Sequence, residues 1–155
     1  MELYIYTDKY NELIENYKLT EEQMKFTGTP IECIEISNED ADRSSILAIE
    51  LEQLVTFFDL HKNEGVKPYS QNHNAILLRA FSTDARQQGK GYAKKALQLL
   101  PQFVKNDFSD IDEIVLAVNV ANVAAQSLYK KCGFVDNGVR TMGKKGELII
   151  MSYYL

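Results

Sequence analysis

Arg86-Gln87-Gln88-Gly89-Lys90-Gly91-Tyr92 follows the apolar run Ala75-Ile76-Leu77-Leu78-Arg79-Ala80-Phe81 and opens a stretch with helical spacing. The apolar run reads as a strand covered on both faces. The spacing after it predicts a helix over Gly89–Asn106, with Ala93, Ala96, Leu97, Leu100 and Val104 on one side. Pro101 should bend that helix, because it removes a backbone donor. This order of strand, glycine-rich turn and helix has a chemical consequence. The first turn of a helix carries four N–H groups without an internal partner, at the positive end of the helix dipole. Glycines at 89 and 91 let a phosphate approach the backbone closely. Each N–H bonded to a charged oxygen contributes about 1.5–3 kcal/mol, so several together hold a diphosphate without a metal. Taken alone, the stretch also reads as a glycine-rich turn before an ordinary helix. Other phosphate motifs fit worse. A dinucleotide fingerprint needs glycine where Lys94 stands, and the near P-loop at Gly138–Lys145 leads into strand-like Leu148-Ile149-Ile150.

Outward from this centre, the N-terminal half predicts a strand at Leu3–Tyr6 and a helix over Asp8–Tyr17 capped by Asp8. Thr20-Glu21-Glu22-Gln23 forms a capping box that starts a second helix from Glu21 to about Phe26, which Gly28-Thr29-Pro30 ends. Ser37–Ser45 reads as an exposed loop. Ile46–Leu51 and Leu54–His61 read as a hairpin around Glu52-Gln53, and Asn63–Asn74 as a loop. In the C-terminal half, Glu113–Val118 is a buried strand and Asn122–Cys132 a helix stopped by Gly133. Phe134–Val139 and Glu147–Leu155 are the last strands. No repeat or linker divides residues 1–155, so a single α+β domain is expected.

The chain has 155 residues, 45% hydrophobic and 25% charged, which suits one soluble core. It lacks an apolar run of about 18 residues and the basic, apolar start of a signal peptide. The expectation is therefore a cytoplasmic protein without a membrane segment. The formal charge of −5, with no basic stripe, argues against nucleic acid as a partner. It mildly favours a cationic substrate. Cys33 and Cys132 read as small hydrophobes, with no metal site implied.

About 40 residues after the first motif come Asn119-Val120-Ala121-Asn122, Ala125, Leu128-Tyr129 and Gly133-Phe134. Together the two parts resemble the GNAT superfamily of acyl-CoA N-acyltransferases, over Ala75–Phe134. The resemblance implies an α/β/α sandwich: a mixed, mostly antiparallel sheet of six to seven strands with helices on both faces. At its centre, strands Ala75–Phe81 and Glu113–Val118 would part in a V that holds acyl-pantetheine. Acetyl-CoA is the implied co-substrate. Backbone near Phe81, Ser82 and Thr83 would pair with the pantetheine. The N–H groups of Gln87, Gln88, Gly89, Lys90, Gly91 and Tyr92 would bind the diphosphate, and Arg86 belongs to the same cofactor-binding segment. Asn122 would reach the cofactor from the opposite wall, and Tyr129 would lie near the sulfur. Asn122 also reads as the N-cap of its helix, and the two roles can coexist. Tyr129 suits its role chemically, because acetyl transfer releases a thiolate that a hydroxyl can stabilise.

The acceptor must be a neutral amine when it attacks, and deprotonating a lysine-like amine at pH 7 costs about 4.6 kcal/mol. The family often places a glutamate on the strand before the phosphate loop, but Ala75–Phe81 contains no carboxylate. Asp59 and His61 share one face of their strand by period-2 spacing, and His61 is the candidate base. Tyr10, Tyr17, Phe26, Tyr69, Glu21, Glu22 and Glu64 are candidate wall residues. They suit a small amine such as a polyamine, an amino acid or an antibiotic-like compound, although a protein or peptide amine fits the chemistry equally. The rival reading is a non-catalytic acyl-CoA sensor. The last strand could pair within the sheet or across a homodimer.

Overall fold

The computed structural model describes all 155 residues. Seven strands form one sheet: β1 (Glu2–Ile5), β2 (Arg43–Glu50), β3 (Gln53–Lys62), β4 (Ala75–Thr83), β5 (Glu113–Asn119), β6 (Val135–Gly143) and β7 (Gly146–Tyr154). Their order is β1-β2-β3-β4-β5-β7-β6. Every neighbouring pair is antiparallel except β4 with β5. The last strand therefore pairs inside the sheet, between β5 and β6.

Five helices pack on this sheet: α1 (Asn11–Asn16), α2 (Glu21–Met24), α3 (Pro30–Asn38), α4 (Tyr92–Asp107) and α5 (Val123–Lys131). None is long and apolar enough to cross a membrane. The alternation of strand side chains gives the sheet a core on each face. Phe58 and Leu60 of β3, Ile76 and Leu78 of β4 and Leu116 of β5 face Leu97, Leu100 and Tyr129 of α4 and α5. Leu47 and Phe57 face the opposite way, against Ile14 of α1 and Cys33 and Ile34 of α3.

Four elements differ from expectation. The helix expected over Asp8–Tyr17 is a 3-10 turn at Asp8–Tyr10 followed by α1, and no side chain caps either. The capping box forms as expected, Thr20 and Gln23 bonding each other's amides at 3.1 and 2.9 Å, but α2 stops at Met24. Helix α3 went unread. Gly28-Thr29-Pro30 is expected only to end a helix, whereas Thr29 caps the Glu32 amide and Pro30 occupies the first turn. Proline's missing N–H and fixed φ suit that position. The expected Ser37–Ser45 loop shrinks to Glu39–Asp42, because Ser37 and Asn38 end α3 and Arg43–Ser45 begin β2.

The other elements shift by a few residues. The β2–β3 hairpin turns on Leu51 and Glu52, both at positive φ, rather than on Glu52-Gln53. Pro101 falls inside α4, which continues through it to Asp107. The stretch Gly138–Lys145 belongs to the β6–β7 hairpin, not to a phosphate loop. Cys33 and Cys132 are both free thiols.

Candidate active site

β4 and β5 pair from Ala75↔Glu113 to Leu78↔Leu116 and no further. Past that point β4 stays with β3, while Ala117–Asn119 stay with β7. The cause lies in the β3–β4 register. It steps from Asp59↔Arg79 to Phe57↔Ser82, so β4 places two residues opposite the single Phe58. Ala80 takes up the extra length at φ 55°, a left-handed conformation that costs an L-residue about 1–2 kcal/mol. Such a bulge bends its strand. Here it swings Arg79–Thr83 away from β5 and opens a V between the two.

The phosphate-loop segment lies at the end of β4. A 3-10 turn, Ala85–Gln87, leads into Gly89 and Gly91, which sit at φ 78° and 81°. Left-handed glycines cannot continue a right-handed helix, so α4 begins at Tyr92 rather than at Gly89 as expected. Arg86 and Gln87 turn out to be braced internally. Asp84 accepts from the Arg86 amide and guanidinium and from the Lys18 amide, at 2.8–3.0 Å. Arg86 also reaches the Asn16 carbonyl. The Gln87 amide bonds the Asp84 carbonyl at 2.8 Å, so the uncommitted amides begin one residue later than expected. From Gln88 to Lys94 no backbone N–H meets a protein acceptor; the next amide, Lys95, bonds the Gly91 carbonyl. Seven successive donors are thus uncommitted at the helix entrance.

Tyr129 of α5 stands across the V. Its ring is edge-on to Phe81 and to Phe134, with centroids 6.0 and 5.9 Å apart, and Phe81 stacks on Phe58 at 5.7 Å. Only 8% of Tyr129 is exposed, yet its hydroxyl bonds no protein group. Burial pushes its pKa above the ordinary tyrosine value, so the group remains an O–H donor. Asn122 caps α5 through Oδ1, which accepts the Ala125 amide at 3.3 Å, and its amide nitrogen stays unbonded.

The opposite face of the parted strands carries a cleft of about 330 Å³. Arg79, Ala80 and Ala117 line it at the V, Phe26–Gly28 and α3 from one side, and Leu148 of β7 and Tyr69 from the other. The parted strands thus separate a donor-rich face from one that carries an open cleft.

Residues 7–134 match the family model described as acetyltransferase (GNAT) family. A protein of Bacillus subtilis (strain 168) named uncharacterized N-acetyltransferase YbbJ is 41% identical over 143 residues, covering 92% of this chain and 89% of its own. The chain belongs to the GNAT acetyltransferase family. Its fold also superposes on an aminoglycoside acetyltransferase, AAC(6')-Ib, in complex with paromomycin and acetyl-CoA. That match has a TM-score of 0.78 at 14% identity and covers 98% and 92% of the two chains. Spermidine N-acetyltransferase of Vibrio cholerae, in complex with CoA and spermine, gives 0.73 at 18%, covering 99% and 94%.

Within this acetyltransferase, the residues singled out from the sequence separate into groups. Phe81 and Tyr129 meet across the V, and Asn122 caps α5 just past the end of β5. Ser82 and Thr83 end β4, but the Ser82 hydroxyl bonds Tyr17 at 2.8 Å and the Thr83 carbonyl accepts from Gln23 of α2 at 2.7 Å. His61 is not brought to the V. It lies on the opposite face of the sheet from Tyr129, packed so closely beneath Gly65 that a methyl there would strike its ring. Nδ1 faces Arg79 at 3.3 Å. Asp40 is 3.0 Å from Nε2 but off the line of a hydrogen bond, so that contact is electrostatic. Burial lowers the His61 pKa despite Asp40 and keeps the ring neutral at pH 7.

Of the expected wall residues, Phe26 and Tyr69 line the cleft. Tyr17 is buried, Tyr10 packs on Tyr4, and Glu64 pairs with Lys67. Glu32 of α3, absent from the candidate wall residues, is the one carboxylate lining the cleft. The signal that could have found it is Thr29-Pro30 read as a helix start.

Proposed function

We propose that the protein is an acetyl-CoA-dependent N-acetyltransferase in which a small primary amine attacks the thioester directly, within a ternary complex and a single domain. The observation that carries this reading is the run of seven uncommitted amides from Gln88 to Lys94 beside parted strands faced by an unbonded Tyr129 hydroxyl. The diphosphate of the donor sits on those amides. The pantetheine lies along the freed edge of β4, with the Phe81 N–H toward the acetyl oxygen and Asn122 on the opposite wall.

The amine enters from the cleft behind the V. Its lone pair adds to the acetyl carbon, and the C–S bond breaks as the tetrahedral intermediate collapses. The sulfur leaves as a thiolate that Tyr129 stabilises by donating its O–H. Glu32 takes the ammonium proton through water, and His61 acts by holding Arg79 rather than as the base. Structural neighbours whose names include aminoglycoside and spermidine acetyltransferases support an amine acceptor.

A non-catalytic acyl-CoA sensor has no need of a free hydroxyl at the sulfur, which favours the enzyme. Calorimetry with acetyl-CoA, followed by thiol-release assays over a broad amine panel, tests the proposal. Binding with CoA release for at least one amine class supports it. Absence of acetyl-CoA binding at millimolar ligand overturns it, and binding without release across the panel favours the sensor.

A further inference from the structure

The lining of the acceptor cleft carries two guanidiniums and one carboxylate, whereas the whole chain has a formal charge of −5. Arg43 of β2 and Arg79 of β4 both line the cleft, and Arg43 is only 8% exposed. Two guanidiniums on the strands that flank β3 need negative partners, and β3 supplies one between them. Asp59 accepts from Arg43 Nε and from the Ser45 hydroxyl, and it is fully buried. That carboxylate is therefore committed to Arg43 and Ser45. Arg79 makes a single hydrogen bond, from Nη1 to the neutral His61 ring, and its Nε and Nη2 have no protein acceptor. Arg43 likewise spends only Nε. Burial and the neighbouring Arg43 charge both lower the affinity of Arg79 for its proton, as expected where two cations share a desolvated space. Glu32, the one carboxylate of the lining, belongs to the exposed first turn of α3, where it accepts from the Thr29 hydroxyl.

A polyamine would bring further positive charge against this floor. An anion would complete it, since guanidinium N–H groups in a fixed fork match a carboxylate geometrically. We propose that the acceptor is an amino-carboxylate, an amine whose own carboxylate is bound by Arg79 with Arg43 behind it, so that the amine is presented at the V between β4 and β5. Phe26, Cys33 and Ile36 in the same lining give its carbon skeleton an apolar wall. This inference rests on the acetyltransferase reading above. It is specific to the acceptor half of the site.

The experiment compares matched pairs in a CoA-release assay: L-amino acids and 4-aminobutyrate against their carboxamides, with putrescine and spermidine as polycation controls. Acetyl-CoA binding is measured by calorimetry on the same preparations. The expected result is a kcat/KM at least about tenfold higher for a carboxylate than for its carboxamide, a discrimination in the range of one charge-assisted contact. Arg79→Gln should shrink that ratio to less than about threefold, chiefly through KM, and Arg79→Lys should restore part of it. Equal turnover of carboxylate and carboxamide, preference for the polyamines, or turnover of other amines but of no carboxylate would each overturn the inference and leave the acetyltransferase reading standing. Failure of acetyl-CoA itself to bind would remove both. Arg43→Gln strands Asp59 in the core and can fail to fold, so the test relies on Arg79.

Discussion

The rings of Tyr129 and Phe81 meet edge to face, centroids 6.0 Å apart and planes at 72°, and so tie α5 to the bulged end of β4. This contact fixes the Tyr129 hydroxyl relative to the strand edge that β5 gives up. Ring packing and hydroxyl chemistry are therefore separable by mutation.

Tyr129→Phe keeps both edge-on contacts and removes only the O–H. Turnover should fall about tenfold or more, equivalent to a barrier increase of about 1.4 kcal/mol, while affinity for acetyl-CoA changes little. Because burial raises the Tyr129 pKa, the group stays protonated and should add no limb to the pH–rate profile below about pH 10. Steady-state rates beside calorimetry check this. Full turnover by the variant would remove the hydroxyl from the mechanism.

Gly91 supports a second prediction. A methyl added there meets no atom within 4 Å, so Gly91→Ala should fold. The φ of 81° makes the substitution cost about 1–2 kcal/mol in backbone strain. The methyl also lies within the run of seven uncommitted amides, and acetyl-CoA affinity should fall about tenfold. An unchanged dissociation constant would place the diphosphate elsewhere.

Asp84 should govern acid stability. It is 1% exposed and accepts from the Lys18 and Arg86 amides and from the Arg86 guanidinium. Burial alone would raise its pKa, but the Arg86 bonds and the backbone donors outweigh that and hold it below the ordinary carboxylate value. A lowered folded pKa stabilises the native state above the unfolded pKa of about 3.9, and that stability is lost as pH falls through the folded value. Asp84→Ala should cost about 2–3 kcal/mol at pH 7 by stranding buried donors. Its stability should also depend less on pH below about 4 than that of the wild type. Urea melts at pH 7 and pH 3 measure both. Equal pH slopes for the two proteins would exclude Asp84 as the acid-labile group.

Much of the fold could be read along the chain because its signals are local. Ala75–Phe81 is apolar enough to be a central strand, and Asn122 and Gly133 mark the two ends of α5 through capping and a positive φ. Thr29-Pro30 shows where local reading fails. The dipeptide both ends one helical run and starts another, and the burial of Cys33 and Ile34 against Phe57 decides between the two readings. The start of α4 was misplaced by three residues, because glycines that welcome a phosphate also adopt the conformation that excludes them from the helix.

The sequence by itself determined the strand, the glycine turn and the two helices flanking the V, since capping, periodicity and backbone freedom act over a few neighbouring residues. Tertiary structure alone decided that Ala80 bulges against Phe58, that His61 faces away from Tyr129, and that Arg43 and Arg79 meet over one buried carboxylate. Those relationships depend on cross-strand register. Register follows from how the whole sheet packs, and a change of one residue would turn each of these side chains to the other face.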